Sequence, residues 1–229
     1  MMKKIILSIV LFTNTFLIIA QDVNVLVEKV KLKMNQVNDY SVEAKMKTNV
    51  AFIKAPIGRV KIYFRKPDQL KIYREKGISI LPKGGVNVNF FSILNTKNLS
   101  IIDAGTTVVN GTNTRIVKLL PLNENSEIII STLYIDETEL LILKSYTTTR
   151  ENGSFEMEMF YAQFQNLGLP NKMIFSFNVK DYKMPKGVTL DIDDDLSKEE
   201  KKKFQNKKGK IEFSYNNYII NKGIPENIF

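Results

Sequence analysis

The chain of 229 residues contains no cysteine, no histidine and no tryptophan. Without cysteine there are no disulfides to staple the fold and no thiol for N-terminal acylation, so an exported domain of this kind rests on its hydrophobic core. The missing imidazole and thiolate also remove the usual general base, the usual zinc ligands and the usual sulfur nucleophile. Zinc sites and Ser-His-Asp triads are therefore excluded. Carboxylate pairs, Ser-Lys dyads and tyrosine acids remain chemically open, but no motif arranges them, and the chain reads as a non-enzyme without a cofactor.

Charge is present in excess on one side, with 33 Lys and Arg against 24 Asp and Glu, a net charge of +9. A positive start at Lys3 and Lys4 leads into an almost wholly apolar stretch over residues 5–20, and Gln21 and Asp22 begin ordinary polar sequence. That pattern predicts a signal peptide over residues 1–20, cleaved after Ala20. A membrane span needs roughly 20 apolar residues, and this stretch is shorter and interrupted by Thr13, Asn14 and Thr15. The expected product is a soluble periplasmic protein, residues 21–229, forming one domain of net charge +7. Apart from one run near the C-terminus the positive charge is spread along the chain, which favours anionic surfaces without naming a partner.

Periodicity supplies the architecture. Val23, Leu26, Val27, Val30, Met34 and Val37 recur at three- and four-residue steps and predict an amphipathic helix over residues 23–37. After Asn38 and Asp39 the period becomes two: Val42, Ala44, Met46, Val50 and Phe52 share one side, as do Val60, Ile62 and Phe64 after a turn. A Lys66-Pro67-Asp68 turn leads to Leu70 and Ile72, completing a meander of three strands. Strand patterns resume over residues 106–109 and 115–120, joined by an Asn110-Gly111 pair suited to a hairpin, and continue over 128–135, 140–150, 155–165 and 173–179. About ten strands with one starting helix predict a mainly β protein: a large curved antiparallel sheet or an incomplete β-barrel.

Two segments break the alternation. Residues 77–94 are greasy yet irregular, with Pro82, Gly84 and Gly85 among apolar side chains, and read either as a core-covering loop or as a lid over an apolar cavity. The candidate lipid-binding residues are Ile80, Leu81, Phe90, Phe91 and Leu94 in this segment, over a floor of Val60, Ile62, Phe64, Leu70 and Ile72. Residues 181–210 form a charged insertion. Asp191, Asp193 and Asp195 begin the frame of a calcium loop, but Leu196 and Lys202 occupy places that need Gly and Glu, so the segment reads as a solvated acidic loop followed by a basic run. Nucleic acid is not an expected partner, since export removes the protein from it.

A sheet this wide cannot be covered by one 15-residue helix, so a second layer of chain or a ligand must fill the remaining apolar surface. Acyl chains suit the task, because each buried methylene contributes roughly 0.8 kcal/mol without any specific polar contact.

The order of parts resembles the LolA-like outer-membrane lipoprotein carrier family. The matching residues are Phe64-Arg65-Lys66-Pro67-Asp68-Gln69-Leu70-Lys71, Leu133-Tyr134-Ile135-Asp136 and the closing Asn-Lys-Gly-Ile-Pro-Glu-Asn-Ile-Phe over residues 221–229. The resemblance implies a half-open barrel with a helical lid and an apolar cavity for lipoprotein acyl chains or free lipid. It also implies inner- and outer-membrane acceptor proteins as partners of a monomer that moves lipids toward the outer membrane. An envelope sensor or binding protein on the same scaffold is the alternative. The family's lid-closing arginine before the turn proline is replaced here by Lys66, preceded by Arg65; these two are the lid-closure candidates, and a lysine lacks the forked contacts of a guanidinium.

Overall fold

The computed structural model describes residues 22–49, 58–74, 93–94, 96, 98–151, 153–178 and 208–229. The expected signal peptide, the site candidates Ile80, Leu81, Phe90 and Phe91, and the charged insertion up to residue 207 lie outside the described residues.

Helix α1 spans Val23–Met34. The Asp22 carboxylate accepts a hydrogen bond from the Asn24 amide at 2.8 Å and so satisfies one of the donors orphaned at the helix start. Those backbone and side-chain hydrogen bonds from Asn24 hold the Asp22 pKa below the usual carboxylate value. Leu26, Val27, Val30 and Met34 are buried while Leu32 is exposed, as the three- and four-residue spacing demands. The helix ends three residues before the predicted limit. Val37 is buried beyond it, in the link to the first strand.

Ten strands follow among the described residues: β1 Asp39–Asn49, β2 Gly58–Arg65, β3 Gln69–Arg74, β4 Leu99–Val109, β5 Thr112–Pro121, β6 Ile128–Asp136, β7 Leu141–Thr149, β8 Ser154–Phe160, β9 Lys172–Asn178 and β10 Lys208–Ile220. They make one antiparallel sheet in the order β3-β2-β1-β10-β9-β8-β7-β6-β5-β4, left open between β3 and β4. The mainly β, half-barrel architecture expected from periodicity is the one observed. At the β4–β5 hairpin Asn110 and Gly111 both take positive φ, 50° and 83°, as the turn chemistry requires.

One strand is shorter than its sequence pattern suggests. β8 stops at Phe160, and the chain turns through a 3₁₀ segment, Gln165–Leu167, ended by Gly168 at φ 67°. Phe164 and Leu167 there pack toward α1 and its cluster, so their apolar character serves a cap over the sheet's end and not a strand.

The chain ends are tied together. The Asn221 side-chain oxygen accepts from the Asn38 amide at 2.7 Å, and its amide donates to the Gln36 carbonyl at 2.9 Å. In return the Asp39 carboxylate accepts from the backbone amides of Lys222 and Gly223. Asn221 sits at φ 54°, a conformation that asparagine tolerates better than most residues. Replacing Asn221 with Ala removes its side-chain bonds to Asn38 and Gln36 and retains the unfavourable φ. The expected cost is about 2 kcal/mol, checked by the shift of the urea unfolding midpoint; a change within about half a kcal/mol would show that the joint contributes little.

Candidate functional site

In an antiparallel pair, residues directly opposite each other lie on the same face. The pairing can therefore be followed across the sheet: Val117 faces Leu133, Leu133 faces Ser145, Ser145 faces Met157, Met157 faces Phe175, and Phe175 faces Ile211. This row lies on the inner face, the one α1 covers. The buried side chains on that face form two clusters.

The first cluster joins Leu26, Val27, Val30 and Met34 of α1 to Phe64, Val117, Leu119, Leu133, Ile135, Ile142 and Met159 of the sheet. A helix of 12 residues is about 18 Å long, enough to roof only part of so wide a sheet. The second cluster contains no residue of α1. Its described members are Val42, Ala44, Met46, Val60, Ile62, Phe155, Met157, Phe175, Phe177, Ile211 and Phe213, all from strands.

Aromatic rings and methionines dominate this second cluster. Phe155 and Phe175 pack as tilted rings with centroids 5.2 Å apart, and Phe175 and Phe177 lie 5.4 Å apart. Gly209, opposite Phe177 on β10, makes room for the ring: a Cβ there would stand 2.5 Å from the Phe177 Cζ. Met46 and Met157 add flexible, polarizable side chains that adapt to varied apolar shapes. No described buried residue is charged; the polar ones are all serine or threonine. On the other face Lys144 pairs with Glu156 at 2.7 Å and Lys172 with Glu212 at 3.2 Å, while on the inner face Arg115, opposite Ile135, pairs with Asp103 at 3.4 Å and Glu137 at 3.3 Å.

The sequence-derived candidates divide between the clusters. Val60 and Ile62 lie in the second, opposite Ala44 and Val42, and Ile72 packs against it half-buried. Phe64 and Leu94 belong to the first, and Leu70 touches both. Sequence reasoning did not select Phe155, Met157, Phe175, Phe177, Ile211 or Phe213. The alternation of Met173, Phe175 and Phe177 is visible in the sequence, but only the strand order places these rings on the same face as Val60 and Ile62.

Arg65 and Lys66 are both engaged in this structure. The Arg65 guanidinium donates to the Gln69 side chain at 2.7 Å and lies over the Phe229 ring at 4.8 Å. The Lys66 ammonium donates to the Asn35 carbonyl at 2.5 Å and to the Asn38 side chain at 3.3 Å, placing a cation at the negative end of the α1 dipole. Partial burial holds its pKa below the usual lysine value. Lys66 thus joins the β2–β3 turn to the end of the helix that roofs the first cluster.

Solved structures share this arrangement. A domain from Vibrio parahaemolyticus named for outer membrane lipoprotein sorting superposes with a TM-score of 0.56 at 10% identity, over 88% of this chain and 93% of that one. A LolA superfamily protein from Nitrosomonas europaea gives a TM-score of 0.54 at 9% identity, over 92% and 98% of the two chains. The fold is LolA-like. A third match, to a DUF1329 family protein from Desulfovibrio piger, has a TM-score of 0.51 at 11% identity over 89% and 95%. No family model and no curated protein matches the chain in sequence. Among the described residues, no helix is long and apolar enough to cross a membrane.

Proposed function

We propose that the chain is exported to the periplasm and there binds the acyl chains of lipoproteins or other lipids against its inner face, carrying them toward the outer membrane without making or breaking bonds. The observation behind this reading is the division of one continuous inner face into two apolar clusters, of which α1 roofs only the first. The described residues of the second are aromatic, methionine and aliphatic side chains without charge, which suits a flexible hydrocarbon: roughly 0.8 kcal/mol per buried methylene accumulates without demanding a fixed pose. The LolA-like neighbours support the same reading, two of them by names that refer to lipoprotein sorting or to the LolA superfamily.

The test has two parts. Organic extracts of gently purified protein should contain acyl lipid by mass spectrometry, and the delipidated protein should speed transfer of a fluorescent acyl lipid between donor and acceptor vesicles in proportion to its concentration. Bound lipid without transfer would make the chain a binding protein and not a carrier. Failure of both parts would overturn the proposal.

A further inference from the structure

The inner face is not uniformly apolar. Next to the row through Ser145 runs a second one, in which Leu119 faces Ser131, Ser131 faces Thr147, Thr147 faces Phe155, Phe155 faces Phe177, and Phe177 faces Gly209. Ser131, Ser145 and Thr147 therefore form a compact hydroxyl island. It is flanked on one side by Leu119 and Leu133 of the first cluster, and on the other by Phe155 and Met157 of the second.

Their hydrogen bonding is incomplete. Ser131 Oγ and Thr147 Oγ1 lie 2.8 Å apart, and since one hydroxyl donates to the other, the pair keeps one O–H proton unspent. Ser145 is 0% exposed, and its Oγ has no hydrogen-bond partner. A buried hydroxyl without a partner has lost its water and gained nothing in return, a condition rare enough in folded proteins to call for a missing acceptor.

Resting on the acyl-binding reading above, we propose that Ser145, with the Ser131–Thr147 pair beside it, is the subsite for the carbonyl oxygen of an ester- or amide-linked acyl chain. The island supplies donors, so its ligand must supply acceptors. The island itself is uncharged, and Arg115, a cation on the same face, is already paired with Asp103 and Glu137, so a fatty carboxylate or a phosphate placed here would be desolvated without a counter-ion of its own. A neutral carbonyl meets the donors without that cost. From this point the hydrocarbon would lie along Met157, Phe175 and Ile211, which follow Ser145 in the same row. The head group stays outside the apolar face.

The proposal is tested with the full chain and three probes: a diacyl ester phosphatidylglycerol, a dialkyl ether lipid with the same head group and chain length, and palmitate at neutral pH. The ester lipid should bind about fivefold tighter than the ether, the size of one ordinary hydrogen bond. Ser145→Ala should bring the ester down to the ether's affinity and leave the ether unchanged, while palmitate binds more weakly than the ester. The variant should melt at or above the wild-type temperature, because it removes an unpaired buried hydroxyl. Thr147→Val, acting on the same island, should reduce the ester preference in part and provides a second variant should the first fold poorly. Equal binding of ester and ether by the wild type would overturn the subsite while sustaining the acyl site, and would leave a bound water as the partner of Ser145. An ester preference that survives both substitutions, or tighter binding of palmitate, would also overturn it. If none of the three probes binds, the acyl-binding reading itself fails.

Discussion

Val30→Asp should leave most of the chain unfolded at room temperature. Val30 is 0% exposed at the centre of the α1 face, between helix and sheet, and a carboxylate there is either desolvated without a partner or forces the helix off the sheet. Either route costs more than about 4 kcal/mol, set against a total stability of about 5–15 kcal/mol for an ordinary domain. Leu32→Asp on the same helix is the control. Leu32 is 59% exposed, and its replacement should change stability by no more than about half a kcal/mol. Far-ultraviolet circular dichroism and urea melts of the two variants make the comparison. Similar stabilities for both would mean that α1 is dispensable to the sheet and that the division into a cluster with α1 and one without it carries no functional meaning.

The second large effect is alkaline unfolding. Tyr40, Tyr161, Tyr215 and Tyr218 gather at one end of the sheet, where Tyr40 and Tyr218 have ring centroids 5.3 Å apart and Tyr215 and Tyr218 are 5.7 Å apart. Burial pushes all four phenol pKa values above the ordinary value of 10. For Tyr215 and Tyr218 the neighbouring phenols push in the same direction. The hydroxyls of Tyr161 and Tyr218 donate to the carbonyls of Ile142 at 2.9 Å and Pro170 at 2.8 Å. Below pH 10 both folded and unfolded states keep their protons and no stability depends on them. Above it the unfolded state releases protons that the folded state retains, so stability falls with rising pH, by up to about 1.4 kcal/mol per pH unit for each phenol. Because the rings are only half-buried and partly hydrated, the four together should lower stability by nearer about 3 kcal/mol than the full sum between pH about 9 and about 11. Urea midpoints across that range should fall accordingly, and part of the tyrosinate absorbance should rise only as the protein unfolds. A flat midpoint would show that these phenols ionise freely in the folded state.

Much of this architecture is legible from periodicity alone. The spacing of Leu26, Val27, Val30 and Met34 reads as a helix face because four residues on one side have only one way to be buried together. The period-two runs in β1, β2 and β9 likewise read as strands with one apolar face. Strand order is not legible, because nothing in residues 39–49 announces that their partner is 208–220. For that reason Val60 and Ile62 could be named as apolar lining while Phe175, Ile211 and Phe213, on the same face a few strands away, could not. The hydroxyl island was hidden by the same gap. Ser131, Ser145 and Thr147 look in sequence like solvent-facing positions, and only the pairing of Ser131 with Thr147 and of Ser145 with Met157 turns them inward. Arg65 and Lys66 were recognisable from the Lys-Pro-Asp turn, but their contacts with Phe229 and Asn35 involve distant parts of the chain that local pattern does not connect.

The junction of β1 with β10 also governs when the protein can fold. It lies in the interior of the sheet, yet it joins the first strand to the last, and the Asn38–Asn221 hydrogen bond beside it spans 183 residues. Until β10 is available, β1 to β3 can form only a three-stranded ribbon and β4 to β9 a separate six-stranded piece, each with an unpaired edge where the middle of the sheet will be. Closure of so long a loop carries its entropy cost before the contacts that reward it, which makes folding slow and leaves two sticky edges exposed meanwhile. A growing chain is therefore barred from reaching its final shape until β10 has been made, and it remains threadable until then.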